Sequence, residues 1–225
     1  MAALFHYPKA RHARKLKPRQ FRRYTTYKRW LQAEFSRVCV YCRQPDSGAR
    51  NLIFHVDHYR PKSLARFSDL ACDYDNLFYA CPSCNTRKSI YWPADEAVDP
   101  FIVNPCDHEM AQHLRFNSAT GKVEARSEFG RHTEMLLQLN DPEFVSYRRQ
   151  TLLAIQSADN EIRKLDAELR ALEADVKSGR LSRPEFDREV AQIKDDQLML
   201  RELVDSLSGT KPLPPLPKQR NGLAL

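Results

Sequence analysis

Glycine is scarce, with 6 among 225 residues, and no apolar run is long enough to cross a bilayer. Mean hydropathy is −0.63 and 42% of residues are hydrophobic, which suits exposed helix better than one large compact core. The N-terminus lacks the apolar stretch of a signal peptide, so a cytoplasmic location without a membrane partner is the expectation. Acid is absent from residues 1–30, which hold ten Lys or Arg. Residues 156–210 carry 13 acids against 9 bases and residues 211–225 add +3, so of the net +7 about +8 sits on residues 1–155. A polyanionic partner fits that distribution.

Four of the six cysteines form two pairs, Cys39/Cys42 and Cys81/Cys84. Cytosolic chains rarely keep disulfides, so the pairs read as metal ligands. Four thiolates fill a tetrahedral zinc shell and leave no open position, the mark of a structural site. The 38 residues between the pairs are too few for a large core, and zinc replaces one. Cys72 and Cys106 read as buried free thiols.

Residues 1–20, basic and without periodicity, read as a mobile arm that orders on its target. Apolar positions from Phe21 to Phe35 recur at helical steps and predict one amphipathic helix. NLIFHVDH and DNLFYA read as short strands separated by a loop, and Pro82 opens a helix through CNTRKS. Thr120-Gly121 turns a hairpin, HTEMLLQLN is helical, and Asp141-Pro142 breaks it. Ile155, Ile162, Leu169 and Val176 recur every seven residues; Gly179 ends that helix, and Ser182-x-x-Glu185 caps the next. The expected fold is α+β: a small zinc-stapled ββα core with a helical extension and a C-terminal antiparallel, coiled-coil-like hairpin. Its expected divisions are a basic arm and helix (1–37), the core (38–105), an α/β extension (106–155), the hairpin (156–208) and a Pro-rich tail (209–225).

FHVDHYRPKS and DNLFYACPSCNTRKS, with the cysteine pairs, resemble the HNH endonuclease family in its four-cysteine zinc form. The likeness extends more loosely to about Arg149 and is similar to stand-alone bacterial HNH proteins, some of them in anti-phage defence systems. It implies Asp57 and Asn85 as ligands of a catalytic divalent cation and His58 as general base. It further implies that Asn76 fixes the loop carrying the base and that Lys88 sits near the phosphate. Asn85 stands where the family name has histidine, and an Asp–Asn pair offers only oxygen, which suits Mg²⁺ or Mn²⁺.

Phosphodiester hydrolysis needs a proton acceptor at neutral pH, which histidine supplies, and a Lewis acid for the crowded phosphate. Singly, Asp57 also fits a surface pair with Arg60 or Lys62, His58 a packed ring, and Asn85 a helix cap; the joint spacing favours a catalytic set. His55 shares a strand face with Asp57 but is left outside that set. Arg60, Lys62, Arg66 and Arg87 read as phosphate contacts. DNA is the expected substrate, with RNA open. The hairpin reads as an arm for a protein partner or a second copy. A non-catalytic zinc module that binds nucleic acid or a partner protein is the alternative.

Overall fold

The computed structural model describes residues 4–46, 53–213 and 215–216. At its centre β1 (His55–His58) pairs antiparallel with β2 (Leu77–Ala80), in the register His55↔Ala80, Asp57↔Phe78 and His58↔Leu77. LFYA is apolar throughout and buried at every position, as a strand covered on both faces must be. α1 (Lys28–Glu34) packs on this pair, and α2 (Pro82–Lys88) runs along β1. Proline at the first turn of α2 costs no hydrogen bond, and Cys81 caps that helix through its sulfur.

The single helix expected over Phe21–Phe35 divides into a 3-10 turn, Tyr24–Tyr27, followed by α1. Thr25 and Thr26 are β-branched and weaken a regular helix there. The Tyr27 hydroxyl also accepts from the Phe21 backbone N–H at 2.9 Å, which folds the chain back on itself.

The N-terminal segment is docked rather than mobile. Phe5 and Tyr7 are buried. The Arg14 guanidinium lies 4.8–4.9 Å over the rings of Tyr74, Phe35 and Phe78 and donates to the Leu77 carbonyl at 2.7 Å. Glu34, 6% exposed, accepts from the backbone N–H of Lys15 (2.9 Å) and Leu16 (2.8 Å) and pairs with His12 at 2.7 Å. Basic composition suggested solvation, but a cation over three rings and a buried carboxylate bind this segment down.

Beyond the core, α3 (Met110–His113) leads into the hairpin β3 (Leu114–Asn117) and β4 (Lys122–Ala125). Gly121 turns it at φ +72, and a Cβ there would lie 2.7 Å from Arg149 Cγ. α4 (Glu128–Leu136) begins ahead of HTEMLLQLN because Ser127 caps it, accepting from Gly130 N–H. α5 (Pro142–Lys177), capped by Asp141, runs through the 155/156 boundary without a break. α6 (Arg183–Ser208) starts at the capping box of Ser182 and Glu185 and ends at Gly209, φ +74.

Of the expected seam, Ile155, Ala158, Ile193 and Gln197 are buried, and Gln197 donates across it to Asp166 at 2.8 Å. Ile162, Leu169, Val190 and Val204 are half-buried, since two helices alone cannot enclose both seams. The hairpin's two ends rest on the core. Arg87 of α2 pairs with Asp141 at 2.9 Å, and Arg37 donates to the Lys211 carbonyl at 2.9 Å while pairing with buried Asp46 at 2.7 Å. Residues 217–225 of the tail lie outside the described residues.

Burial raises the Glu34 pKa, but the hydrogen bonds of Lys15, Leu16 and His12 outweigh it and hold the carboxyl below the ordinary 4.5. That contribution is complete above the unfolded value and disappears as pH falls through the lower folded one. Glu34→Ala removes the three charge-assisted bonds from Lys15, Leu16 and His12, on the order of 5 kcal/mol of arm docking. Trypsin should then cut residues 9–23 much faster in the variant than in the wild type at pH 7; equal protection of both would refute the clamp.

Candidate active site

The zinc site is built from a turn and a helix start. Cys39 N–H donates to Gln44 O at 2.9 Å and Arg43 N–H to Cys39 O at 3.1 Å, with Arg43 in the left-handed region at φ 61. Val40 N–H donates to Tyr79 O, tying this turn to β2, while Cys81 and Cys84 open α2. The four Sγ atoms lie within 4.8 Å of one another, with Cys42 to Cys81 at 3.7 Å. Zn–S bonds of about 2.3 Å give tetrahedral edges of about 3.8 Å, so the sulfurs fit a zinc ion. Burial opposes ionisation of Cys39, yet bonds from Cys42, Cys81 and Cys84 hold it well below the ordinary thiol value. Contacts to Cys39 and then Cys42 push Cys81 and Cys84 well above it. A divalent cation reverses that balance by presenting a positive charge to all four sulfurs.

The edge of β1 meets α2 in two contacts. Asn85 Nδ2 lies 3.0 Å from His55 Nδ1, and Lys88 Nζ lies 3.1 Å from Asp57 Oδ1. One helical turn separates Asn85 from Lys88 and only Val56 separates His55 from Asp57, so both pairs fall on one strand face. Asp57 is 3% exposed, and its other oxygen accepts from the Tyr41 hydroxyl at 2.5 Å. Burial first, and then the Asp57 charge, raise Tyr41 well above the ordinary phenol value, so it stays a donor.

His58 ends the strand. Its Nε2 lies 2.9 Å from Ala71 O; a carbonyl only accepts, so Nε2 carries the hydrogen and Nδ1 keeps its lone pair. Burial is the main cause that lowers its pKa below the ordinary 6.5, and the pull of the Ala71 carbonyl and Asp57 does not cancel it. The ring is therefore neutral at neutral pH. Asn76 bridges the chain just past His58, accepting from Arg60 N–H at 2.8 Å and donating to Arg60 O at 3.0 Å and Leu70 O at 3.3 Å.

Residues 39–89 match the family model described as HNH endonuclease. They form an HNH endonuclease domain. No curated protein and no solved structure matches the chain. An HNH domain implies nuclease activity in general, and the four cysteines supply its metal-binding cluster. Among the described residues, no helix is long and apolar enough to cross a membrane.

Two of the expected site residues in the HNH domain have protein partners of their own. Lys88 is 1% exposed and donates to Asp57 and, at 2.6 Å, to His58 O. Arg87 donates to Leu137 O and Gln138 O at 3.1 Å, pairs with Asp141 and covers Phe144. Arg66 divides its guanidinium between Pro93 O at 3.2 Å and Glu96 at 3.7 Å. Arg60 lies 5.3 Å over Trp92, and Lys62, exposed, lies 3.8 Å over Tyr24. The sequence reading missed Tyr24, Tyr41 and the Ala71 carbonyl. Tyr41 has a signal in hindsight, as a hydroxyl inside a cysteine pair; the other two do not.

One zinc per chain is the expected metal content. Binding to structural sites of this kind is worth about 10–16 kcal/mol in apparent terms, comparable with the whole stability of a domain. Cys84→Ser or a strong chelator should therefore abolish cooperative unfolding of the HNH domain, followed by near-ultraviolet circular dichroism. Retention of the native spectrum without zinc would overturn this assignment.

Proposed function

We propose that the chain is a metal-dependent endonuclease that hydrolyses DNA, with His58 as general base and Asp57 and Asn85 as ligands of Mg²⁺ or Mn²⁺. The observation that carries the reading is the fixed imidazole of His58, bonded to Ala71 O through Nε2 and left with a basic Nδ1. The donors around it suit a hard cation. A carboxylate has about four lone-pair sites, of which Tyr41 and Lys88 occupy two on Asp57. Asn85 turns its amide nitrogen to His55, which leaves its oxygen for a metal.

In this reading His58 Nδ1 takes the proton of the attacking water as the O–P bond forms. Lys88 pairs with Asp57 and fixes the position of its carboxylate, and Asn76 holds the backbone past His58 in place. A bound Mg²⁺ or Mn²⁺ supplies Lewis-acid stabilisation to the phosphate and the leaving oxygen. Arg60 and Lys62 offer sequence-independent phosphate contacts. Bacterial anti-phage defence is the setting that the resemblance suggests for this activity. A second copy, joined through α6 where Leu198, Met199 and Leu203 are exposed, would place two cutters on one duplex. A light-scattering mass of one chain would exclude that arrangement.

Purified protein with Mg²⁺ or Mn²⁺ should cut plasmid DNA, and His58→Ala should lower the rate by 10²-fold or more, on the order of a lost general base. Equal cutting by both proteins would remove His58 from the mechanism, and binding without cutting would favour the non-catalytic zinc module. Single-stranded RNA cut in preference to plasmid would reassign the substrate. The base must be unprotonated, and burial lowers its pKa, so activity should persist down to pH 6.5 and fall below it. An acid limb centred above pH 6.5 contradicts the assignment. His55→Ala should raise the metal concentration needed for half-maximal cutting about tenfold, the usual effect of removing a partner that orients a ligand.

A further inference from the structure

We infer that Tyr24, outside the matched HNH residues, is a positioning residue that holds the imidazole of His58 and the ammonium of Lys62 in the active site. The inference rests on the nuclease reading of His58. The Tyr24 and His58 rings meet edge to face, with centroids 4.6 Å apart at 67°. Lys62 Nζ stands 3.8 Å from the centroid of the same Tyr24 ring. One aromatic side chain thus contacts the group that takes the proton and a cation suited to a phosphate. An imidazole bonded through Nε2 alone can still swing about that bond, and a ring wall beside it removes the swing.

The segment that carries Tyr24 is itself anchored. Tyr27, at the end of the same 3-10 turn, is 1% exposed and rests 5.5 Å from the ring of Tyr74. Gln20 Nε2 donates to Cys72 O at 3.2 Å, and Cys72 Sγ donates to Arg22 O at 3.3 Å. Cys72 follows Ala71, whose carbonyl holds His58. The basic segment before the zinc turn therefore braces both neighbours of the imidazole, the carbonyl on one side and the aromatic ring on the other. Its positive charge is a phosphate attractant, but its structural part in the site is this brace.

The test compares Tyr24→Phe with Tyr24→Leu. Both should keep the wild-type zinc content and melting temperature. Long-range ¹H–¹⁵N spectra of His58 should show a single Nε2–H tautomer in the wild type and in Tyr24→Phe. Tyr24→Leu, which keeps the volume but loses the ring, should show a tautomer mixture and a kcat about tenfold to a hundredfold lower, as for a misplaced catalytic group. Tyr24→Met serves in its place should the leucine variant fail to fold. A single tautomer with unchanged kcat in the leucine or methionine variant overturns the inference, as does equal loss in Tyr24→Phe. The spectrum decides the role of Tyr24 whether or not the wild type cuts DNA, so the two readings fail separately.

Discussion

Convergence of four thiols on one point organises the rest of the HNH domain. Cys39 and Cys42 fix the turn that leans on β2, and Cys81 and Cys84 fix the start of α2. Asn85 follows Cys84 directly, and Lys88 comes one turn later, so their places over β1 descend from the sulfur cluster. A two-stranded sheet of four residues a side is marginal in water. Cross-linking its flanks through a metal substitutes for apolar area that the segment does not possess.

The second constraint is a buried charge pair. Lys88 and Asp57 are both almost fully enclosed, at 1% and 3% exposure, and taking two ions out of water is costly. What compensates is saturation by further partners: the Tyr41 hydroxyl on the carboxylate and the His58 carbonyl on the ammonium. The Lys88 ammonium reaches the carboxylate at 3.1 Å and the His58 carbonyl at 2.6 Å. It also fixes the backbone of the residue after Asp57, so charge and geometry are set by the same contact.

What the sequence disclosed follows the range of the interaction. Cysteine spacing, the Asp57-His58 neighbours and the Asn85 position are local, and a short motif states them. The heptads of α5 and α6 and the capping box at Ser182 are periodic or local too, and both helices formed. The arm was misread because its composition is basic while its anchors are long-range: Phe5 and Tyr7 in the core, Glu34 receiving two backbone N–H groups. Tyr24 looked like one apolar position in a helical stripe; only the folded chain brings it against His58. The Ala71 carbonyl is a backbone atom, which no residue identity announces.

The hairpin has a topological consequence. The chain leaves the core at Asp141 and re-enters near Lys211, and each crossing is held by an arginine of the HNH domain or its border, Arg87 and Arg37. In polymer terms α5 and α6 are a closed excursion whose two feet are held by Arg87 and Arg37. Inserting a matched heptad in both helices would carry the tip outward by about 10 Å and leave the feet where they are. The reach of the arm and the integrity of the HNH domain are thus independent variables, free to diverge at different rates.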